Sequence, residues 1–151
     1  MIIRRATPDD VDGMVAVLKA LTAAGLRTRP DDPEFTLNHY VQPPNGIRCS
    51  VAVDDNGVRG LQSLTRATED NPWGVTPGWG IIGTHISPDA ARQGIGKQLF
   101  AATIKAARGA GLAHIDATIG ATNAGGLAYY EAMGFRAYRE MNGAICKKFD
   151  L

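Results

Sequence analysis

The stretch HISPDAARQGIGKQL, residues 85–99, carries the strongest local signal in the chain. An apolar, strand-like run leads into it, and a helix-like run begins at its two glycines. Glycine inside a helix costs about 0.5–1 kcal/mol relative to alanine, so this place needs backbone without side chains. The first N–H groups of a helix have no internal partner, and the helix dipole favours negative charge beside them. Gly94 and Gly96 therefore predict an anion site with Lys97 nearby, and a merely sharp strand-to-helix turn is the other explanation.

Two common phosphate-binding motifs do not fit this stretch. A Walker A loop, G-x-x-x-x-G-K-[ST], would need a glycine at Ala91 and a serine or threonine at Gln98. A dinucleotide fingerprint, G-x-G-x-x-G, matches Gly94 and Gly96, but Leu99 stands where the third glycine belongs. The expected anion is therefore a phosphate group presented by a different ligand.

Periodicity and turn residues around this stretch predict the element order βα(α)βββαβαββ. Thr7 and Pro8 suit a helix start, and an Asp-Asn-Gly turn after residue 54 indicates a hairpin. Alternating helices and strands with hairpins between them imply a mixed sheet covered by helices on both faces. The predicted strands are 1–7, 47–55, 58–68, 79–87, 112–120, 135–140 and 144–149, and the predicted helices are 7–25, 34–40, 94–111 and 124–134.

The composition is that of an ordinary globular domain. The chain has 151 residues, enough for one domain with a packed core. Its net charge is +1 and it has no basic stripe, so neither a nucleic acid nor a membrane surface is expected as a partner. No signal peptide or membrane span is recognised. Cys49 and Cys146 have no metal-like spacing, so we expect reduced thiols, no metal site and a cytoplasmic location.

A second stretch, NAGGLAYYEAMGF at residues 123–135, narrows the choice of ligand. With it, the chain resembles the GCN5-related N-acetyltransferase (GNAT) superfamily. That family's cofactor motif runs from a strand into [QR]-x-x-G-x-[GA], which Gly94 and Gly96 match while Ala91 replaces the usual Arg or Gln. The family's later motif, N-x-x-A-x-x-x-Y-E-x-x-G-F, is matched by Asn123, Gly126 in the small position, Tyr130, Glu131, Gly134 and Phe135.

The resemblance covers essentially the whole chain and implies one GNAT-like acetyltransferase domain over residues 1–151. It implies a mixed α/β fold, with a mostly antiparallel sheet of six or seven strands and about four helices on both faces. The implied activity is transfer of an acetyl group from acetyl-CoA to a primary amine of a small molecule or protein, by direct attack on the thioester. The implied partners are acetyl-CoA and an amine acceptor, and a homodimer is left open.

The resemblance also implies where acetyl-CoA is held. The pantetheine arm would pair with the backbone of Thr84 and Ile86, at the splayed end of the fourth strand. Asn123 would lie beside the pantetheine or the helix end, and Tyr130 near the sulfur. The pyrophosphate would meet backbone N–H groups of Arg92, Gln93, Gly94, Ile95, Gly96 and Lys97.

Direct attack needs a donor for the oxyanion and a proton for the leaving thiolate. A backbone N–H near Ile86 would be the oxyanion donor. Tyr130 stands at the family's tyrosine position and is the expected general acid, because a tyrosine of pKa about 10 keeps its proton at neutral pH. Its neighbour Tyr129 is assigned to packing the last helix against the sheet.

The base that removes the proton of the amine is less well marked. Family members carry Glu or His on the fourth strand at positions that match Gly80 and Ile82, and neither of these side chains accepts a proton. His85 is the candidate base, although strand alternation turns it to the opposite face and a bulge would have to re-aim it. His39, Glu69 and a chain of waters remain open.

The acceptor site implied by the resemblance lies between residues 26–44 and 68–79. These segments mix arginines, acids and aromatic residues, which predicts a polar or amine acceptor without naming it. The missing carboxylate on the fourth strand motivates an alternative function, an acyl-CoA-binding protein that keeps the fold without catalysis. A nucleotide-binding protein is the third hypothesis.

Overall fold

One seven-stranded sheet organises the computed structural model, which describes residues 1–151. Its strands lie in the order β1-β2-β3-β4-β5-β7-β6, and every neighbouring pair is antiparallel except β4 with β5. The predicted mixed, mostly antiparallel sheet is thus confirmed. The strands are β1 (Ile2–Arg5), β2 (Gly46–Asp54), β3 (Gly57–Arg66), β4 (Gly80–Ile86), β5 (His114–Gly120), β6 (Arg136–Met141) and β7 (Ala144–Asp150).

Four helices cover the sheet: α1 (Val11–Ala23), α2 (Pro33–Thr36), α3 (Ile95–Gly109) and α4 (Ala124–Met133). A π-helical turn, Leu37–Val41, continues α2, and short 3₁₀ turns precede α1 and α3. The α-helical part of α1 starts later than predicted because Pro8–Asp10 form a 3₁₀ turn. The Asp10 carboxylate holds that turn, accepting the Thr7 N–H at 2.8 Å and pairing with Arg4 at 2.8 Å.

Strand alternation divides the core between the two faces of the sheet. Helices α1 and α2 cover the face that carries Cys49, Val51 and Leu61, where Met14 and Leu18 are fully buried. Helices α3 and α4 cover the other face, and the residues that join the core there include Ala52, Ile82, Ile95, Leu99, Phe100, Tyr130 and Phe135. Because β4 contributes alternate residues to both faces, its side chains look toward both pairs of helices.

The sheet opens between β4 and β5. The two strands pair only at Gly80 with Ile115 and at Ile81 with Asp116, and they diverge beyond Ile81. We call the gap beyond Ile81 the fork. A mid-sheet opening of this kind leaves one edge of β4 without a neighbouring strand.

The backbone of β4 shows which groups face the fork. The Ser87 N–H bonds Arg59 O on β3 at 2.9 Å, and bonding partners alternate along an antiparallel strand. The N–H and C=O groups of Thr84 and Ile86 therefore point away from β3 and into the fork. They form an open strand edge inside the molecule, available to an extended ligand.

Both cysteines are free thiols and both are buried. Burial raises the pKa of Cys49 to about 12, so this side chain stays a neutral thiol at neutral pH. No helix combines the length and apolar character needed to cross a bilayer.

Candidate active site

The turn between β4 and α3 is held in an unusual backbone conformation. Ser87 donates a hydrogen bond to the Asp89 carboxylate at 2.6 Å, and Arg59 on β3 pairs with the same carboxylate at 3.2 Å. Later in the turn, Arg92 and Gly94 both adopt left-handed conformations, with φ of 64° and 74°. The left-handed region costs a non-glycine residue about 1–2 kcal/mol. Such strain concentrates at functional sites, where the surroundings hold it in place.

This turn presents a row of free hydrogen-bond donors. None of the six backbone N–H groups from Arg92 to Lys97 has a partner within the chain. The side chains of Arg92, Gln93 and Lys97 are exposed. Free N–H groups at the positive end of a 15-residue helix, flanked by two cationic side chains, suit a pyrophosphate.

The two glycines of the turn serve different purposes. A Cβ added at Gly94 would meet nothing within 4 Å, so this glycine is required by its positive φ alone. A Cβ added at Gly96 would lie 2.5 Å from Cε1 of Tyr129 and 3.3 Å from Cδ1 of Ile86. Gly96 is therefore needed for contact with α4, in addition to the approach of a phosphate that the sequence suggested.

We expect Gly96→Ala to destabilise the fold by about 1–3 kcal/mol, the usual cost of overpacking. The Tyr129 ring cannot easily yield, because its hydroxyl donates to Gly96 O at 2.7 Å and accepts from Gln62 at 3.0 Å. Urea denaturation measures the change in unfolding free energy. Gly109→Ala in the same helix is the matched control, since a Cβ there meets nothing within 4 Å. Equal effects of the two substitutions would contradict the packing role of Gly96.

A chain of hydrogen bonds links this turn to the fork. Thr103 on α3 donates to Gln62 Oε1 at 2.5 Å, and Gln62 Nε2 donates to Tyr129 and, at 2.9 Å, to Thr84 Oγ1. Thr84 Oγ1 lies 2.8 Å from the Tyr130 hydroxyl, where either group can donate. Gln62 and Thr103 are fully buried, so the network fixes both tyrosines relative to β4.

Asn123 comes just before α4, and Tyr130 lies in its second half. Tyr130 is only 7% exposed and its ring packs against Phe135 at 5.1 Å between centroids. Burial is the main reason why the pKa of its phenol rises above the ordinary value of 10, so the hydroxyl is fully protonated at neutral pH. Asn123 caps α4 by accepting the Gly126 N–H at 3.0 Å, which places it at the helix end rather than inside the fork.

The model of the Acetyltransferase (GNAT) family matches residues 14–135, about four fifths of the chain. The chain belongs to this family. It is an acetyltransferase, and the co-substrate is acetyl-CoA. A search of curated proteins finds no match.

Solved structures share the GNAT fold over nearly the whole chain. A GCN5-related N-acetyltransferase from Kribbella flavida has a TM-score of 0.80 at 20% identity, covering 99% of this chain and 97% of that one. PaiA N-acetyltransferase from Thermoplasma acidophilum, in complex with coenzyme A, has a TM-score of 0.81 at 16% identity, with 99% and 98% covered. A phosphinothricin acetyltransferase from Sinorhizobium meliloti, in complex with acetyl-CoA, has a TM-score of 0.78 at 20% identity, with 99% and 88% covered.

His85 lies on the face of the GNAT sheet that α1 and α2 cover. The register of β3 and β4 runs through His85 opposite Leu61 without a shift, so the bulge that would re-aim its ring is absent. Its Nδ1 is 3.4 Å from Nη1 of Arg27, and its ring meets Tyr40 edge-on at 5.3 Å. Burial, with the Arg27 charge next in importance, lowers the pKa of His85 to about 3. These surroundings disfavour uptake of a proton.

The other two candidate bases are no better placed. His39 Nε2 lies 3.2 Å from Nη2 of Arg29, and burial together with that charge lowers the pKa of His39 to about 4. Glu69 is exposed on the loop between β3 and β4. We call Arg27, Arg29, His39 and His85 the arginine cluster. At neutral pH its two histidines are neutral and its charge is carried by the two arginines.

We expect the free energy of unfolding to fall as the pH drops below about 6.5. Unfolded histidines protonate near 6.5, whereas His39 and His85 in the folded protein resist protonation down to about 4 and 3. The unfolded state then binds more protons, which costs up to about 1.4 kcal/mol per pH unit for each histidine. Urea denaturation at pH 7, 6 and 5 measures this slope. His85→Gln should make it shallower, and an unchanged slope would contradict the neutral state of His85.

Asp116 was not among the residues predicted from the sequence. It lies on β5 opposite Ile81, where the fork begins. Its side chain is fully buried, accepts hydrogen bonds from Thr118 at 2.8 Å and from Tyr138, and lies 3.7 Å from Arg139. Arg139 in turn donates to Trp73 O at 2.6 Å. The available signal was an aspartate inside a strand pattern, where aspartate is depleted. Because its oxygens are occupied, Asp116 positions the loop between β3 and β4.

Proposed function

We propose that this GNAT protein transfers the acetyl group of acetyl-CoA to the primary amine of an acceptor that enters from the face covered by α1 and α2. The main support is that three groups suited to acetyl-CoA lie next to one another. The open backbone edge of Thr84 and Ile86 runs along the fork, the free N–H groups of the α3 turn follow β4, and the Tyr130 hydroxyl reaches Thr84 between them. Two structures of the same fold contain coenzyme A or acetyl-CoA, which supports acetyl-CoA as the co-substrate.

The residues present fit acetyl-CoA. The six free N–H groups of the α3 turn would bind its pyrophosphate, with Arg92 and Lys97 as point charges. The backbone of Thr84 and Ile86 would pair with the amides of the pantetheine arm, as an added strand pairs with a sheet edge. Acetyl-CoA supplies the thioester whose acetyl group is transferred. Asn123 acts through the start of α4, which it caps.

Tyr130 is proposed to donate a hydrogen bond to the departing sulfur. Thr84 Oγ1 already accepts from Gln62, so its own proton is free to be donated to the Tyr130 oxygen. That arrangement leaves the Tyr130 proton free to point into the fork. Because burial raises the pKa of Tyr130, hydrogen-bond donation is favoured over complete proton transfer.

The acceptor amine is proposed to lose its proton to water, with His85 as the weaker alternative. We expect His85→Gln to reduce the rate only modestly and to preserve the shape of the pH–rate profile between pH 5 and 9. Loss of a titration from that profile would identify His85 as the base.

The cellular location and the oligomeric state of the protein are also proposed. We place it in the cytoplasm, which agrees with its two free thiols and with acetyl-CoA as co-substrate. A homodimer is proposed as its assembly, which light scattering would test. No group of three or more His, Cys, Asp or Glu side chains is placed to hold a metal ion.

Thiol release from acetyl-CoA tests the proposed function. A panel of amines, amino acids and peptides is screened for release of free CoA, while calorimetry measures CoA binding separately. Release that depends on an acceptor, with an acetylated amine identified by mass spectrometry, is the expected result. Tight CoA binding without release across the panel would instead favour an acyl-CoA-binding protein without catalysis.

A further inference from the structure

Arg27 is a buried cation without an acidic partner. It is 8% exposed, and its Nη2 donates to Pro30 O at 2.8 Å and to the Tyr40 hydroxyl at 2.9 Å. Its Nη1 lies 3.4 Å from His85 Nδ1, and its Nε is buried with no hydrogen-bond partner. Every one of these contacts is with a neutral group, so Arg27 has no ion-pair partner in direct contact.

Arg29 stands beside it, also without a carboxylate. Its guanidinium lies over the Phe35 ring at 5.4 Å and over the Trp73 ring at 5.5 Å. The single side-chain hydrogen bond it makes is to His39, so most of its N–H groups have no partner in the protein. The contact with Trp73 brings together the two segments in which the acceptor site was predicted.

Two other partly buried arginines are paired with acids, whereas Arg48 bonds only the Ser50 hydroxyl at 2.8 Å. Arg59 pairs with Asp54 and Asp89, and Arg139 lies beside Asp116. The pKa of Asp31 is lowered mainly by its hydrogen bonds from Lys19 at 3.2 Å and Thr22 at 3.0 Å, and the charge of Arg27 contributes less. Taking an unpaired charge out of water costs several kcal/mol, and two like charges side by side add to that cost. A bound anion would offset both.

We infer that the anion is part of the acceptor, which carries a carboxylate on the same small molecule as its amine. Arg29 binds this carboxylate, and the charge of Arg27 adds to the attraction. The inference rests on the proposed function and names its substrate class, an amino acid or a similar amine. Arg27 contacts His85 on β4, and the other face of this strand carries Thr84, whose hydroxyl lies 2.8 Å from the Tyr130 hydroxyl of α4. A carboxylate held by the arginine cluster would therefore direct the attached amine toward the fork. The planar guanidinium suits bidentate binding of a carboxylate.

The acidic side chains on α2 do not offer a competing cation site. Asp32 caps the helix by accepting the Phe35 N–H at 3.0 Å, and Glu34 is exposed in its first turn. Both line an open pocket that His39 also lines, and neither carboxylate forms an ion pair with Arg27 or Arg29.

Equilibrium binding to the CoA-loaded enzyme tests the inference without requiring turnover. Free amino acids and their primary amides, which lack the carboxylate, are titrated by calorimetry into the wild type and into Arg29→Gln, Arg29→Lys and the control Lys105→Gln. Lys105 is an exposed cation on α3, away from the cluster. We expect at least one amino acid to bind about 10- to 100-fold more tightly than its amide, the worth of a hydrogen bond to a charged group. Arg29→Gln should abolish that preference, Arg29→Lys should retain part of it, and Lys105→Gln should retain all of it.

Each outcome separates this inference from the proposed function. Amides that bind as tightly as acids, or an Arg29→Gln variant with undiminished preference, would overturn the inference even if acetyl transfer to other amines is observed. Carboxylate-dependent binding that is lost in Arg29→Gln would support the inference even if no thiol is released. Binding of no amino acid, combined with turnover of amines that lack a carboxylate, would also overturn it.

Discussion

Replacing Gly94 with aspartate is expected to weaken binding of CoA by about 10²-fold, while asparagine at the same position costs much less. Both residues tolerate the left-handed conformation that Gly94 adopts at φ 74°, and they have nearly the same shape. Only aspartate adds a negative charge beside the free N–H groups of the α3 turn. This charge and one charge of a bound pyrophosphate, about 5 Å apart, would repel each other by about 3 kcal/mol at an effective dielectric constant of about 20. That energy corresponds to about two orders of magnitude in affinity.

Isothermal titration of CoA into both variants measures the difference. Circular dichroism and the melting temperature confirm that each variant is folded, and a Cβ at this position meets nothing within 4 Å. The difference should shrink at high ionic strength because the charge is exposed. Equal CoA affinities for the two variants would show that the pyrophosphate does not bind at this turn.

Replacing Tyr130 with phenylalanine is expected to lower kcat by about 10²-fold with nearly unchanged acetyl-CoA affinity. The ring keeps its packing against Phe135, and only the hydroxyl that faces Thr84 is lost. General acid–base contributions are typically about 10²–10⁴-fold. The lower end is expected because a thiol with a pKa of about 8.5 is already a good leaving group and because the pKa of Tyr130 is raised.

Tyr129→Phe is the matched control, and its effect should fall on a different quantity. Its hydroxyl bonds Gly96 O and Gln62, so its removal should lower stability and leave kcat nearly intact. Steady-state kinetics and urea denaturation of both variants separate the two effects. A Tyr130→Phe enzyme with full kcat would show that Tyr130 is a packing residue.

The order of elements was predictable because each carries local signals. Helical periodicity, the glycines that end helices and the Asp-Asn-Gly turn depend on residues close in sequence. The late start of α1 was not predictable, because it depends on the ion pair between Arg4 on β1 and Asp10. The division of α2 into an α-helical and a π-helical part likewise has no separate sequence signal.

The candidate site was easier to predict where binding is proposed to occur through the backbone than where side chains meet across the sheet. The open edge at Thr84 follows from a motif, whereas the need for glycine at position 96 arises from Tyr129, 33 residues away. From the sequence, the arginines of residues 26–44 indicated only that the acceptor is polar or an amine. That Arg27 is buried without an acid depends on how that loop packs against β4.

The fork also bears on how the protein unfolds. Strands β1–β4 and β5–β7 are joined within the sheet by just two residue pairs, so the molecule consists of two halves that share few backbone hydrogen bonds. Halves connected in this way can open with separate free energies. A ligand whose amides pair with β4 while its phosphates bind the α3 turn would act as an eighth strand. Its departure would leave the two halves joined mainly by side chains, such as Ile82 of β4 packed in one core with Ile115 and Tyr130. Acetyl-CoA would therefore stabilise the sheet as well as supply the acetyl group.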